Sequence, residues 1–134
     1  MQDNPETSQA HILAIEDDAM LLRAFSDYLV YSGYSLTPIQ YTGPEALDLE
    51  GLQMDGPAPD MIICDSRLPG DQSGIEIIQS VRTLFGRDIP AILFTGDADP
   101  GTARKAAAIP AAKMLLKPVR MKTLTDEIAA LLKR

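Results

Sequence analysis

Apolar residues along this chain fall into two alternating patterns, short unbroken runs and longer stretches with helical spacing, and each predicts a different element. The run His11-Ile12-Leu13-Ala14-Ile15 is closed by Glu16-Asp17-Asp18, as expected of a strand covered on both faces and ending in an acidic turn. Leu21, Phe25, Tyr28 and Leu29 then share one helical face ahead of Gly33, a residue suited to ending a helix. Residues 34–39 make a poorer strand, and Pro38 assigns it to a sheet edge because proline has no N–H for an inner ladder. Gly43-Pro44 opens a short helix through Glu45, Ala46, Leu47 and Leu49. The Gly-Pro-Ala-Pro passage at 56–59 reads as a loop.

The most apolar run, Met61-Ile62-Ile63-Cys64, delivers Asp65 at its end and is followed by a turn completed by Pro69-Gly70. From Gly74, a helix carries Ile75, Ile78, Val81, Leu84 and Phe85 and stops at Gly86. Ala91-Ile92-Leu93-Phe94 is a fourth strand that ends at Thr95-Gly96-Asp97. Pro100 begins an Ala-rich helix to Ile109 that Pro110 stops, and Met114-Leu115-Leu116 is a fifth strand ending at Lys117-Pro118. Leu124, Ile128, Leu131 and Leu132 mark a last helix. Five short strands alternating with five helices predict an α/β fold: one parallel sheet, right-handed crossovers and helices on both faces. There is no internal repeat and no low-complexity tract.

Composition narrows this picture. The 134 residues are 46% hydrophobic without tryptophan, which suits one domain with an aliphatic core. We place that domain at residues 10–134 and read 1–9, polar and lacking an apolar signal core, as a disordered leader. A net charge of −7 and the lack of any Lys/Arg cluster argue against direct binding of nucleic acid. No stretch approaches the length of a membrane span. The single cysteine, Cys64, lies inside an apolar run, where a buried inert thiol is expected; this fits a reducing cytoplasm.

The chemistry emerges when polar residues are sorted by strand end. Glu16-Asp17, Asp65, Thr95 and Lys117 end the first, third, fourth and fifth strands, so a parallel sheet brings them to one carboxyl edge, where open α/β sheets bind ligands. Taken singly, each has a bland reading. Asp65 can open a turn, Asp17 or Asp18 can cap a helix, Thr95 can be a turn residue and Lys117 a surface lysine. Together they are a constellation. Three carboxylates in one crevice repel one another unless a hard divalent cation joins them, and oxygen ligands with vacant positions suit Mg²⁺. A cation, the Thr95 hydroxyl and the Lys117 ammonium would cradle a phosphoryl group, with Asp65 as nucleophile.

In the order Glu16-Asp17, Asp65, Thr95, Lys117-Pro118, the chain from His11 to Leu132 resembles the receiver domains of two-component response regulators. The resemblance implies a flavodoxin-like fold with strand order 2-1-3-4-5. It also implies that Asp65 is phosphorylated by a phosphohistidine on a sensor histidine kinase or histidine phosphotransfer protein. It makes Asp17 a direct Mg²⁺ ligand and Glu16 one acting through water, with the backbone carbonyl of Arg67 completing the protein's share. Thr95 and Lys117 would bind phosphoryl oxygens, and Gly96 would leave room for the donor. Phe94-Thr-Gly-Asp-Ala-Asp-Pro and Lys117-Pro118-Val119 look most like receiver domains attached to hybrid sensor kinases. Receivers commonly carry Tyr or Phe three residues before the lysine, where this chain has Met114. An aromatic switch is therefore absent, and a core role is expected for the thioether. His11 is expected to be structural. Arg67 and Asp97, two residues after Asp65 and Thr95, are expected to meet across the site. Two other classes fit parts of the pattern: a receiver fold used only for protein binding, and a phosphatase of the haloacid dehalogenase type. The latter carries a second acid two residues after its nucleophile, a place that Arg67 holds here.

Overall fold

The unbroken apolar runs all become strands of one sheet in the computed structural model, which describes residues 10–54, 56–70, 72–96 and 100–133. These are β1 (His11–Glu16), β2 (Ser35–Gln40), β3 (Met61–Asp65), β4 (Ala91–Thr95) and β5 (Ala112–Leu116). They pair in parallel in the order β2-β1-β3-β4-β5. The stretches with helical spacing become α1 (Ala19–Tyr31), α2 (Leu49–Met54), α3 (Gly74–Phe85), α4 (Pro100–Ala107) and α5 (Met121–Lys133). This is the flavodoxin-like doubly wound sheet that the resemblance implied.

Alternate residues of each strand face opposite layers, so an unbroken apolar run supplies two cores at once. On one face Leu13, Ile15, Ile62, Cys64 and Leu93 pack with Ile75, Ile78 and Val81 of α3 and Ala106 of α4. On the other, Ile12, Ala14, Ile63, Ile92 and Phe94 pack with Phe25 and Leu29 of α1 and with Leu124 and Ile128 of α5. Each fully buried Ile, Leu or Phe contributes about 1.5–3 kcal/mol. Phe25 and Phe94 meet edge to face, centroids 5.7 Å apart. Every residue of β3 and β4 is buried, which fixes the strand ends that carry polar groups.

Local chemistry sets the helix ends. Asp18 caps α1 by accepting from the N–H groups of Met20 and Leu21 at 3.0 and 3.2 Å. Ser73 caps α3 through the Ile75 N–H at 3.2 Å, and Gly86 ends α3 in the left-handed conformation at φ 69°.

Several expectations shift. The buried face of α1 is Leu22, Phe25 and Leu29, with Tyr28 exposed: the helix turns Leu22 rather than Tyr28 toward the sheet. The helix expected from Gly43-Pro44 through Leu49 is two pieces, a 3-10 turn at Pro44–Ala46 and α2. Leu47 is extended between them (φ −108°, ψ 100°), and Asp48 accepts from the Gly51 N–H at 3.1 Å, so a side chain restarts the helix after the break. β2 begins and ends one residue later than expected, β5 starts at Ala112, and α4 stops at Ala107, although Ile109 remains buried. Pro38 does lie on an edge, since β2 pairs with β1 alone.

The amino edge of the sheet is tied together by side chains. His11 donates its N–H to Asp60 at 2.8 Å, and its ring nitrogens lie 2.6 Å from Ser35 Oγ and 2.7 Å from Thr37 Oγ1, the structural role expected of it. Arg82, a buried charge on α3, donates to the carbonyl oxygens of Ile89 at 2.9 Å and Pro110 at 2.7 Å. Cys64 is fully buried, and desolvation pushes its thiol well above the ordinary range. Among the described residues no helix is long and apolar enough to cross a membrane.

Candidate functional site

Parallel register carries the sequence-predicted residues to one edge. Glu16, Asp65 and Thr95 are the last residues of β1, β3 and β4, and Lys117 follows β5 directly. Main-chain hydrogen bonds hold these ends together: the N–H of Lys117 donates to Thr95 O at 2.8 Å, and that of Ser66 to Phe94 O at 2.7 Å. Glu16, Asp65 and Thr95 are buried to 1%, 7% and 4% exposure, whereas Asp17 is open to solvent. Burial here comes from the strands, and it leaves their final side chains lining a crevice rather than projecting from the surface.

Glu16, Asp17 and Asp65 each place a carboxylate oxygen within 4.8 Å of the others. Lys117 Nζ donates to Asp65 Oδ2 at 3.0 Å and lies 3.6 Å from Glu16 Oε1. Glu16 Oε2 accepts from the Asp18 N–H at 3.2 Å, whereas Glu16 Oε1 is buried without a hydrogen bond among the described residues. Desolvation, followed by the neighbouring charge of Asp65, pushes the Glu16 carboxyl from 4.5 up to about 8. Burial pulls the Lys117 ammonium down, but its hydrogen bond to Asp65 and the negative charges of Glu16 and Asp65 outweigh this and hold it above its ordinary value. Ionised in full, three carboxylates against one ammonium carry a formal −2. A buried carboxylate oxygen held by an ion pair alone, with no hydrogen bond, and a hard, all-oxygen donor set fit a divalent cation such as Mg²⁺.

The loop after β3 closes one side of the site. Arg67–Leu68 pairs antiparallel with Gln72–Ser73, and the Gly74 N–H donates to Ser66 O at 3.0 Å. Arg67 is exposed at this rim; the expected Arg67–Asp97 pair involves a residue outside those described. A side chain at Gly96 would meet nothing within 4 Å, so space lies open beside Thr95. Met114 is half-buried and packs into the core layer shared with α3 and α4, as expected of a core residue. Sequence reasoning missed Gly74: a Cβ there would run into the carbonyl oxygen of Asp65. A glycine opening a helix just after a candidate nucleophile was the signal available.

A 2-1-3-4-5 sheet reverses its winding between β1 and β3, and Glu16-Asp17 and Asp65 sit at that switch point, where doubly wound folds bind ligands. The class is thus an open α/β domain with an acidic, lysine-bridged crevice. Residues 12–129 match the response regulator receiver domain, and the chain belongs to that family. It is 31% identical over 116 residues to the two-component response regulator EHD1 of Oryza sativa subsp. indica, covering 86% of this chain and 32% of that protein. It is 30% identical over 124 residues to the phosphate regulon transcriptional regulatory protein PhoB of Escherichia coli, covering 92% and 52%. The chain thus spans between a third and about half of these relatives. Among solved structures, a response regulator receiver domain protein from Clostridium thermocellum superposes with a TM-score of 0.79 at 25% identity, covering 93% of this chain and 95% of that one. The chemotaxis response regulator CheY4 of Vibrio cholerae gives 0.72 at 25%, covering 91% and 98%.

Proposed function

We propose that the domain, residues 10–134, accepts a phosphoryl group on Asp65 from a phosphohistidine of a sensor histidine kinase or histidine phosphotransfer protein. The observation that carries this is the 3.0 Å bond from Lys117 Nζ to Asp65 Oδ2 beside the Glu16–Asp17 pair. It gives a single carboxylate both a cationic neighbour and an acidic, cation-binding flank. An Asp65 oxygen attacks phosphorus; the phosphorus–nitrogen bond breaks, its electron pair staying with the imidazole, which takes up a proton, and an acyl phosphate remains. Lys117 holds the carboxylate before transfer and a phosphoryl oxygen after it, and Thr95 supplies its hydroxyl to another. Glu16, Asp17, Asp65 and the carbonyl of Arg67 would hold Mg²⁺, which offsets phosphoryl charge when bound.

Partner engagement has a surface available. Met20 and Tyr31 of α1 are 83% and 88% exposed, and Val30 is exposed with them; Met20 lies three residues from Asp17, beside the site, and the exposed Arg23–Asp27 pair separates it from Val30 and Tyr31 at the far end of the helix. The motifs around Thr95 and Lys117 support a receiver belonging to a hybrid sensor kinase, and the lone buried thiol supports a cytoplasmic setting. The net charge of −7 supports signalling through protein contacts rather than direct nucleic-acid binding.

Mass spectrometry after incubation with acetyl phosphate and Mg²⁺ tests the reading. We expect one added phosphoryl group, lost in Asp65→Asn. No adduct on the wild type would favour a constitutive binding module. Steady turnover of varied phosphate esters would favour a phosphatase, a reading opposed by Arg67 at the place of that family's second acid.

A further inference from the structure

We infer that Gly74 is a positioning residue for phosphorylation: lacking a side chain, it lets the first turn of α3 press against the main chain of Asp65 and so sets where the carboxylate stands. This rests on the reading of Asp65 as phosphoacceptor. Gly74 is buried at the start of α3. A Cβ there would collide with the Asp65 carbonyl oxygen, come within 2.9 Å of its carbonyl carbon and lie 3.0 Å from Leu93 Cδ1.

Glycine is not needed for backbone conformation at this place, because Gly74 is not among the positive-φ glycines. In an ordinary helix, alanine would be favoured over glycine by about 1 kcal/mol. What requires glycine is the close approach to Asp65.

Neither side of that contact is at liberty to retreat. On the helix side, the Gly74 N–H is bonded to Ser66 O at 3.0 Å, Ser73 caps the helix, and Gln72–Ser73 pairs with Arg67–Leu68. On the strand side, Asp65 lies in the central sheet and the next residue donates to Phe94 O at 2.7 Å. An added methyl must therefore displace the Asp65 main chain or the turn that braces it. Misplacing a reacting group by about 1 Å can slow chemistry by about a hundredfold. Lys117 Nζ, 3.0 Å from Asp65 Oδ2, would lose its alignment at the same time.

The test is the rate of labelling by acetyl phosphate at saturating Mg²⁺, expressed per folded molecule, at a temperature where circular dichroism shows full folding. Wild type and Asp65→Asn fix the two ends: if the wild type does not label, the phosphoacceptor reading fails, and the role of Gly74 falls only as its consequence. With wild-type labelling established, Gly74→Ala should label at least about tenfold more slowly, and Gly74→Ala/Leu93→Val should be equally slow. A wild-type rate in folded Gly74→Ala overturns the inference. So does rescue by Leu93→Val, which would place the clash with Leu93 rather than with Asp65. Should Gly74→Ala fail to fold, Ser73→Ala loosens the same turn without adding an atom. It should slow labelling about threefold in a folded protein, on the same positional argument, and an unchanged rate there also overturns the inference.

Discussion

Raising the pH of the metal-free protein from 5.5 to 8.5 should loosen its fold through Glu16. Its carboxyl is pushed from 4.5 to about 8 in the folded chain, first by burial and then by the charge of Asp65. The sign follows from proton retention: between those values the folded chain keeps a proton that the unfolded chain has released. The contribution is therefore fully present below pH 4.5 and is lost as pH rises through about 8. At about 1.4 kcal/mol per pH unit, the ceiling over that window is about 5 kcal/mol; structural relaxation and water entry around an ionised buried acid bring the expected loss to about 2 kcal/mol. Lys117 does not blur the result, since its ammonium is held above its ordinary range and keeps its proton throughout. Urea denaturation in EDTA at pH 5.5, 7 and 8.5 measures the effect. Glu16→Gln, which cannot ionise, should flatten the dependence. With Mg²⁺ the trend should reverse, because binding requires the ionised site and the stabilisation gained grows as the proton leaves. Equal slopes for wild type and Glu16→Gln in EDTA would refute the reasoning.

Three further outcomes can be measured the same way. Lys117→Met leaves Asp65 and Glu16 without their ammonium and should cost the metal-free protein about 1–3 kcal/mol, with a larger gain on adding Mg²⁺ than the wild type shows; an unchanged midpoint in EDTA would contradict the pairing. Arg82→Met strands the carbonyl oxygens of Ile89 and Pro110 and should cost about 2–4 kcal/mol by urea denaturation; a loss below about 0.5 kcal/mol would show that water replaces the guanidinium. Ser26→Ala removes a buried hydroxyl that has no hydrogen-bond partner among the described residues, within a helix, and should stabilise by about 0.5–1 kcal/mol; destabilisation would mean that the hydroxyl is satisfied by solvent.

The site was legible because strand ends are where unbroken apolar runs stop, and a parallel sheet puts all such ends on one edge. Glu16, Asp65, Thr95 and Lys117 could thus be brought together without knowing a single distance. Helix faces were less legible. Leu21 and Tyr28 fit the apolar spacing of α1 as well as Leu22 does, and only packing against β1 and β2 brings Leu22 into the buried cluster. The segment from Pro44 to Leu49 reads as one helix because Gly43-Pro44 is a helix-opening pair and Glu45, Ala46, Leu47 and Leu49 follow it, but Asp48 competes for backbone N–H groups and restarts it. The role of Arg82 was invisible because it depends on carbonyl oxygens of distant main chain, which leave no trace in side-chain patterning, and Gly74 left only the faint one of a glycine at a helix start.

Pro38 has a consequence for crowded solutions. It sits midway along β2, opposite Ala14, on one of the sheet's two borders, and a border strand interrupted by proline is a poor template for a new strand. The other border, β5, contains no proline; its exposed Lys113, the second of its five residues, lies 3.8 Å from Glu127. A sheet with one blunted border can join a second copy through the other, but that pair presents two blunted borders outward. Edge-to-edge growth then ends at two copies, so the chain can be concentrated without a fibre propagating through its strands.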